Sequence, residues 1–107
     1  MRDQSKARNE ELFRNVNEQI EEISQTVERS DPVMEYVCEC DRQDCYEKVN
    51  ATRAEYESVR FDPTHFIVAL GHQDPSVERL VASNDRFLVV EKLGAAARDA
   101  HETDPRS

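Results

Sequence analysis

The N-terminal part of the chain carries its apolar side chains at helical intervals. Leu12, Val16, Ile20, Ile23 and Val27 follow at spacings of 4, 4, 3 and 4, with Phe13 at the stripe's edge. Asn, Gln, Glu and Arg fill the rest of the circumference. This period predicts an amphipathic helix over residues 3–29. Glu10 stands four residues before Arg14, an orientation worth about 0.3–0.5 kcal/mol, whereas Glu18 and Glu22 repel at the same spacing. Packing of the stripe must therefore hold the helix. The expected partner is the protein's own sheet; the alternative is a second copy or another helix, although the pattern spans only about two heptads. Pro32 disfavours a helical conformation at Asp31 and ends the element.

From residue 33 the period changes. Val33 to Cys40 alternate as a strand does, with Met34, Tyr36, Cys38 and Cys40 on one face and Val33, Glu35, Val37 and Glu39 on the other. A polar turn, Asp41 to Asp44, leads to Cys45. Thr52 and Glu55 have the spacing of a capping box and predict a short helix over 53–61 that buries Tyr56 and Val59. His65 to Leu70 is an apolar run that reads as a buried strand. Residues 77–82 fit a helical turn or a strand. A hairpin with Phe87–Val90 across Ser83-Asn84-Asp85 is favoured, because two apolar runs flank a polar turn. Ala95–Ala97 predict one helical turn after Gly94, and residues from His101 onward a frayed tail.

These elements give an α+β fold class. A long N-terminal helix packs on a small, mostly antiparallel sheet of three or four strands that carries a cysteine-rich metal knuckle. The organisation is a single domain: an amphipathic helix at 1–31, a metal-stabilised core at 32–94 and a tail at 95–107. The length of 107 residues fits that count and implies a thin core. Hydrophobic content is 37% and charged content 35%, with no apolar run of membrane-spanning length. No secretion-type apolar stretch follows Met1, so the expected location is cytoplasmic.

The net charge of -9 is evenly distributed. Residues 1–31, 32–60 and 61–107 carry 8, 7 and 8 acids against 5, 4 and 5 bases. No basic stripe is hidden in an acidic whole, which argues against nucleic-acid binding. Tyr36, Tyr46 and Tyr56 read as core and rim rather than a base-stacking platform. Asn50-Ala51-Thr52 has the form of a glycosylation acceptor, but Thr52 is better explained as a helix cap.

The chemistry lies in the cysteines. Cys38, Cys40 and Cys45 form C-x-C-x4-C within eight residues. An odd count and a reducing compartment disfavour disulfides. Cys38 and Cys40, two apart on a strand, point the same way, and the turn can return Cys45 to them. Three thiols so close suggest a shared soft cation. Zn²⁺ takes four ligands, which leaves one place for His72, His65, His101 or Asp44. His72 ranks first. It follows Gly71 at the end of an apolar strand, and Gly71 would permit close backbone approach. His65 begins that strand, so only one of the two can reach the cluster. Zinc is favoured over an iron–sulfur cluster, which is usually held by four cysteines.

A shell of three thiolates and one imidazole is closed, the structural type. An open three-thiolate site with Asp44 or Glu39 as base, or a Cys45 nucleophile with His72, would be needed for catalysis and is disfavoured. The expected function is therefore a zinc-stabilised, non-enzymatic interaction or regulatory module, with a protein partner or a second copy on the N-terminal helix. The alternative is a thiol-based redox or metal sensor using the same cysteines. The run Tyr36-Val37-Cys38-Glu39-Cys40 to Cys45, then Glu55-Tyr56, Val59-Arg60, Pro63, Phe66 to Val68, Gly71-His72 and Leu88 to Lys92, resembles a group of small uncharacterised bacterial proteins of about this length. The resemblance implies a metal-site architecture in a bacterial cytosolic setting and nothing about a substrate.

Overall fold

Local capping sets the frame of the middle of the chain. In the computed structural model, which describes residues 4–25, 33–40, 42 and 44–106, the Thr52 hydroxyl accepts from Glu55 N–H and the Glu55 carboxylate accepts from Thr52 N–H at 2.8 Å. This reciprocal box starts the helix Arg53–Arg60 where the sequence predicts it. In chain order the elements are α1 (Gln4–Ser24), β1 (Val33–Val37), β2 (Lys48–Thr52), α2 (Arg53–Arg60), β3 (His65–Val68), β4 (Glu78–Ser83), β5 (Leu88–Lys92) and α3 (Gly94–Glu102). The class is α+β. No described helix is long and apolar enough to cross a membrane.

The strands divide into two antiparallel sheets. β1 pairs with β2, running from Val33↔Thr52 to Val37↔Lys48. β3, β5 and β4 form the second sheet in that order. The hairpin β4–β5 forms as expected, and its turn is fixed by the Asn84 side chain, which accepts from Arg86 and Phe87 N–H. β2 is an element that the sequence pattern does not announce. Lys48-Val49-Asn50-Ala51-Thr52 buries only Val49 and Ala51 on alternate positions, too little apolar surface to stand out. Residues 38–47, which hold the three cysteines, are the β1–β2 connection.

The core lies between the two sheets and the helices. Tyr36 of β1 and Tyr56 of α2 stack with ring centroids 4.4 Å apart, and Phe66, Ile67, Val68 and Val90 are buried near them. Tyr46 is exposed.

α1 departs most from expectation. Its buried residues are Glu10, Arg14, Asn17 and Glu21, at spacings of 4, 3 and 4. Leu12 and Ile23 of the predicted apolar stripe are 56% and 59% exposed. Val16 and Ile20 are half-buried, with Ile20 against the core edge. Val27 and the predicted turns to residue 29 lie outside the described residues. At about 100° per residue the buried face is turned about 130° from the centre of the stripe. The reason is polar complementarity. Arg14 donates to Pro63 O and Ala100 O at 2.7 Å each, and its guanidinium lies 4.6 Å from the Phe66 ring centre. Lys92 of β5, itself buried, pairs with both Glu10 and Glu78. Arg53 of α2 donates to Glu21 at 2.7 Å. Glu10 and Arg14, expected to support each other along the helix, are both engaged across the fold.

The C-terminal residues are likewise held. α3 runs longer than the single turn expected, buries Ala96 and Ala100, and contains His101. Beyond it Asp104 pairs with Arg60, and Arg106 bridges Glu18 and Glu57.

Candidate metal centre

Three separate stretches of backbone bring four side chains together. Cys38 and Cys40 lie on the extended continuation of β1, where Cys38 N–H donates to Glu47 O at 3.1 Å. Cys45 closes a turn in which its N–H donates to Arg42 O at 3.3 Å. His72 follows the end of β3 in a β-turn, its N–H donating to Ala69 O at 3.0 Å. That turn places Gly71 at φ +81°, a conformation that L side chains rarely adopt. A side chain at Gly71 would meet nothing within 4 Å. The glycine therefore serves the turn, and the close approach expected of it is not its role.

The four side chains offer ligand atoms that all lie within 4.8 Å of one another. His72 Nδ1 is 3.7 Å from Cys38 Sγ and 3.5 Å from Cys45 Sγ. A tetrahedral site with metal–sulfur bonds of about 2.3 Å and metal–nitrogen bonds of about 2.0 Å has sulfur–nitrogen edges of about 3.5 Å. The observed separations match that edge, so these residues are close enough to hold one metal ion. Cys38 and Cys40 are buried, while Cys45 and His72 are half-buried.

Main-chain N–H groups add to the site. Ala69 N–H donates to Cys38 Sγ at 3.1 Å. The main-chain N–H groups of Arg42 and Glu47, each two residues beyond its cysteine, lower the Cys40 and Cys45 thiols. Such bonds favour thiolate over thiol and orient the sulfurs. The Cys40 thiol is drawn down to about 5, chiefly because the Cys38 thiol donates to it, with His72 and Arg42 N–H adding to the effect. Cys38, the donor in that pair, is pushed up by this bond and by burial, and Cys45 is raised by burial. The cluster thus favours the thiolate form at Cys40, where the neighbouring donors converge.

The other sequence candidates go elsewhere. His65 faces Glu91, its cross-strand partner, at 3.3 Å and Asp62 at 3.6 Å. Arg79 also holds Glu91, at 2.8 Å. That group of one histidine and two carboxylates is therefore already balanced by an arginine. His101 is exposed on α3, and Asp44 is exposed on the turn.

Alternation places Glu39 on the half-charged strand face, opposite Tyr36, Cys38 and Cys40. Glu39 is wholly buried. Its N–H donates to Ile67 O at 2.8 Å, and its carboxylate accepts from Ile67 N–H at 3.0 Å and from Asn17 Nδ2 at 2.8 Å. Burial pushes its carboxyl up, while these bonds and the charges of Arg60 and Arg14 hold it down. With both oxygens engaged by Asn17 and Ile67, Glu39 supports the site and is poorly placed to act as a base. Nothing in the local sequence marks it, because its partners lie 22 and 28 residues away.

Comparison with models of known protein families, with curated proteins and with solved structures finds no match.

Proposed function

We propose that the chain is a zinc-stabilised, non-enzymatic interaction or regulatory module, with Cys38, Cys40, Cys45 and His72 as the four ligands. The observation that carries this reading is the donor set. The Cys38 and Cys45 sulfurs stand from the His72 imidazole nitrogen at the edge length of a tetrahedral zinc site, and the Cys40 sulfur lies within 4.8 Å of all three. One nitrogen and three sulfurs suit Zn²⁺ better than hard cations, and fewer than four cysteines disfavours a cluster. Four protein ligands leave no position for a reacting water, the arrangement of a structural site. A groove of about 410 Å³ between α1, α2 and the C-terminal residues is lined by Glu18, Glu21, Glu57 and Arg106 and includes none of the four ligands. The outward face of α1, with Leu12 and Ile23 exposed, is the surface we assign to a protein partner or a second copy. The acidic, evenly charged chain suits a cytoplasmic setting.

The half-burial of Cys45 favours one second reading, a thiol sensor. An oxidant can reach that sulfur first, and its oxidation would expel the metal.

Elemental mass spectrometry on native protein, purified without chelator or metal-affinity tag, tests the assignment. The expected result is zinc at one per chain, lost in His72→Ala and in Cys45→Ser. Protein free of metal when freshly prepared and fully reduced would overturn it. Zinc release by low-stoichiometry peroxide would select the sensor.

A further inference from the structure

We infer that Glu39 and Asn17 couple occupancy of the metal centre to the docking of α1, so that loss of the metal loosens the middle of this helix. The inference rests on the metal reading above and assigns it a consequence at a distance.

Glu39 stands between two of the four proposed ligands in sequence. Residues 38–40 lie beyond the regular β1–β2 pairing, which ends at Val37↔Lys48. Ligation of Cys38 and Cys40 would fix this segment on both sides of Glu39 and hold its carboxylate at the outer edge of β3. There Glu39 makes two bonds to Ile67, one through its main chain and one through its side chain. The remaining carboxylate oxygen accepts from Asn17. Asn17 sits midway along α1 and treats β1 as a neighbouring strand would. Its Nδ2 donates to Val37 O at 2.8 Å, and its Oδ1 accepts from Val37 N–H at 2.7 Å. Both Asn17 and Glu39 are wholly buried.

Ligand, carboxylate and helix thus form one continuous chain of contacts. A buried carboxylate is tolerated only while its bonds are made. Without metal, the sulfurs no longer anchor residues 38–40. Solvation then draws Glu39 outward, and Asn17 loses a buried hydrogen-bond partner in an interface that has little apolar surface to fall back on. Departure of Asn17 uncovers Val37 N–H and O at the edge of β1, and departure of Glu39 uncovers the edge of β3.

Coupling between two sites is reciprocal. Asn17 touches no proposed ligand, so any effect of its removal on zinc affinity must reach the site through Val37, Glu39 and the packing of the helix. Asn17→Ala is expected to weaken zinc binding roughly 5- to 150-fold, read by competition with a chromophoric chelator. Hydrogen exchange on the full wild-type chain gives the other direction. After chelation under reducing conditions, amides of residues 14–21 are expected to exchange at least about tenfold faster, while β5 amides keep more of their protection. Zinc content measured on the same samples separates the two claims. Zinc removed with no change in α1 exchange overturns the coupling and leaves the metal reading intact. Native protein without metal overturns both. If chelation unfolds the entire chain, the affinity of Asn17→Ala decides, and an unchanged value overturns the coupling.

Discussion

Glu55 shows how one side chain serves two parts of the fold. It completes the cap of α2 by accepting from Thr52 N–H, and it also accepts from Arg86 of the β4–β5 turn at 2.8 Å. Arg86 first, and the Thr52 N–H after it, hold its carboxyl at about 2, against an ordinary value of 4.5. A depressed carboxylate contributes stability in full above the unfolded value and loses it as pH falls through the folded one. The contribution of Glu55 should therefore be complete above about pH 4.5 and disappear toward pH 2. The Arg86 pair is partly exposed, so screening leaves most of the effect to the cap. Glu55→Ala is expected to cost about 1–2 kcal/mol near pH 7 and to flatten the acid limb of stability between pH 4.5 and 2. Glu55→Gln can still cap, and should keep much of the stability while losing the pH dependence. Urea midpoints across this range check both. Parallel acid limbs for the wild type and Glu55→Gln would contradict the assignment.

At the scale of the element, α1 is held by its polar face. Arg14 is wholly buried with main-chain carbonyl partners, whereas Leu12 and Ile23 are exposed. Removing a buried charged group from its network costs about 3–5 kcal/mol, and exposed substitutions stay within about 0.5 kcal/mol each. Arg14→Ala should therefore destabilise by about 3 kcal/mol or more, and Leu12→Gln with Ile23→Gln by less than about 1 kcal/mol in total. Urea denaturation of the three proteins tests this, and the reverse ranking would restore the apolar stripe as the docking face. The helical period was legible in the sequence because periodicity is local. The docking face was not, because the partners of Arg14 and Asn17 lie 20 to 89 residues away, at Val37, Glu39, Pro63, Ala100 and Thr103. The same distinction separates the hits from the omissions elsewhere. The Thr52–Glu55 cap, the β4–β5 hairpin and the C-x-C-x4-C cluster are short-range patterns, and His72 followed from its place at a strand end. β2 and the burial of Glu39 depend on long-range pairing that no spacing encodes.

Across the whole molecule, thin apolar packing and a polar helix interface would make the proposed metal, when bound, the largest single contribution to stability. Structural zinc supplies about 10–16 kcal/mol in small peptides, as much as the total stability of many domains at about 5–15 kcal/mol. Besides Ile20, Met34, Cys45 and Val81 at its edge, the buried core includes Cys38 and Cys40, so two proposed ligands are also core residues. Metal removal therefore weakens packing and ligation at the same place, and residues 33–72, which contain all four ligands, should loosen first. A ligand that binds only the folded state adds about 1.4 kcal/mol for each tenfold rise in its free concentration above Kd. For a chain of this size 1 kcal/mol corresponds to roughly 4–8 °C in Tm. The Tm in zinc buffers should therefore climb by roughly 5–11 °C per tenfold rise in free Zn²⁺ above Kd. His72→Ala should shift the onset of that climb to higher zinc, because three sulfurs alone hold the ion less tightly. A Tm that ignores free zinc over several decades, in reduced protein first stripped by chelator, would show that the four side chains pack together for reasons other than a metal.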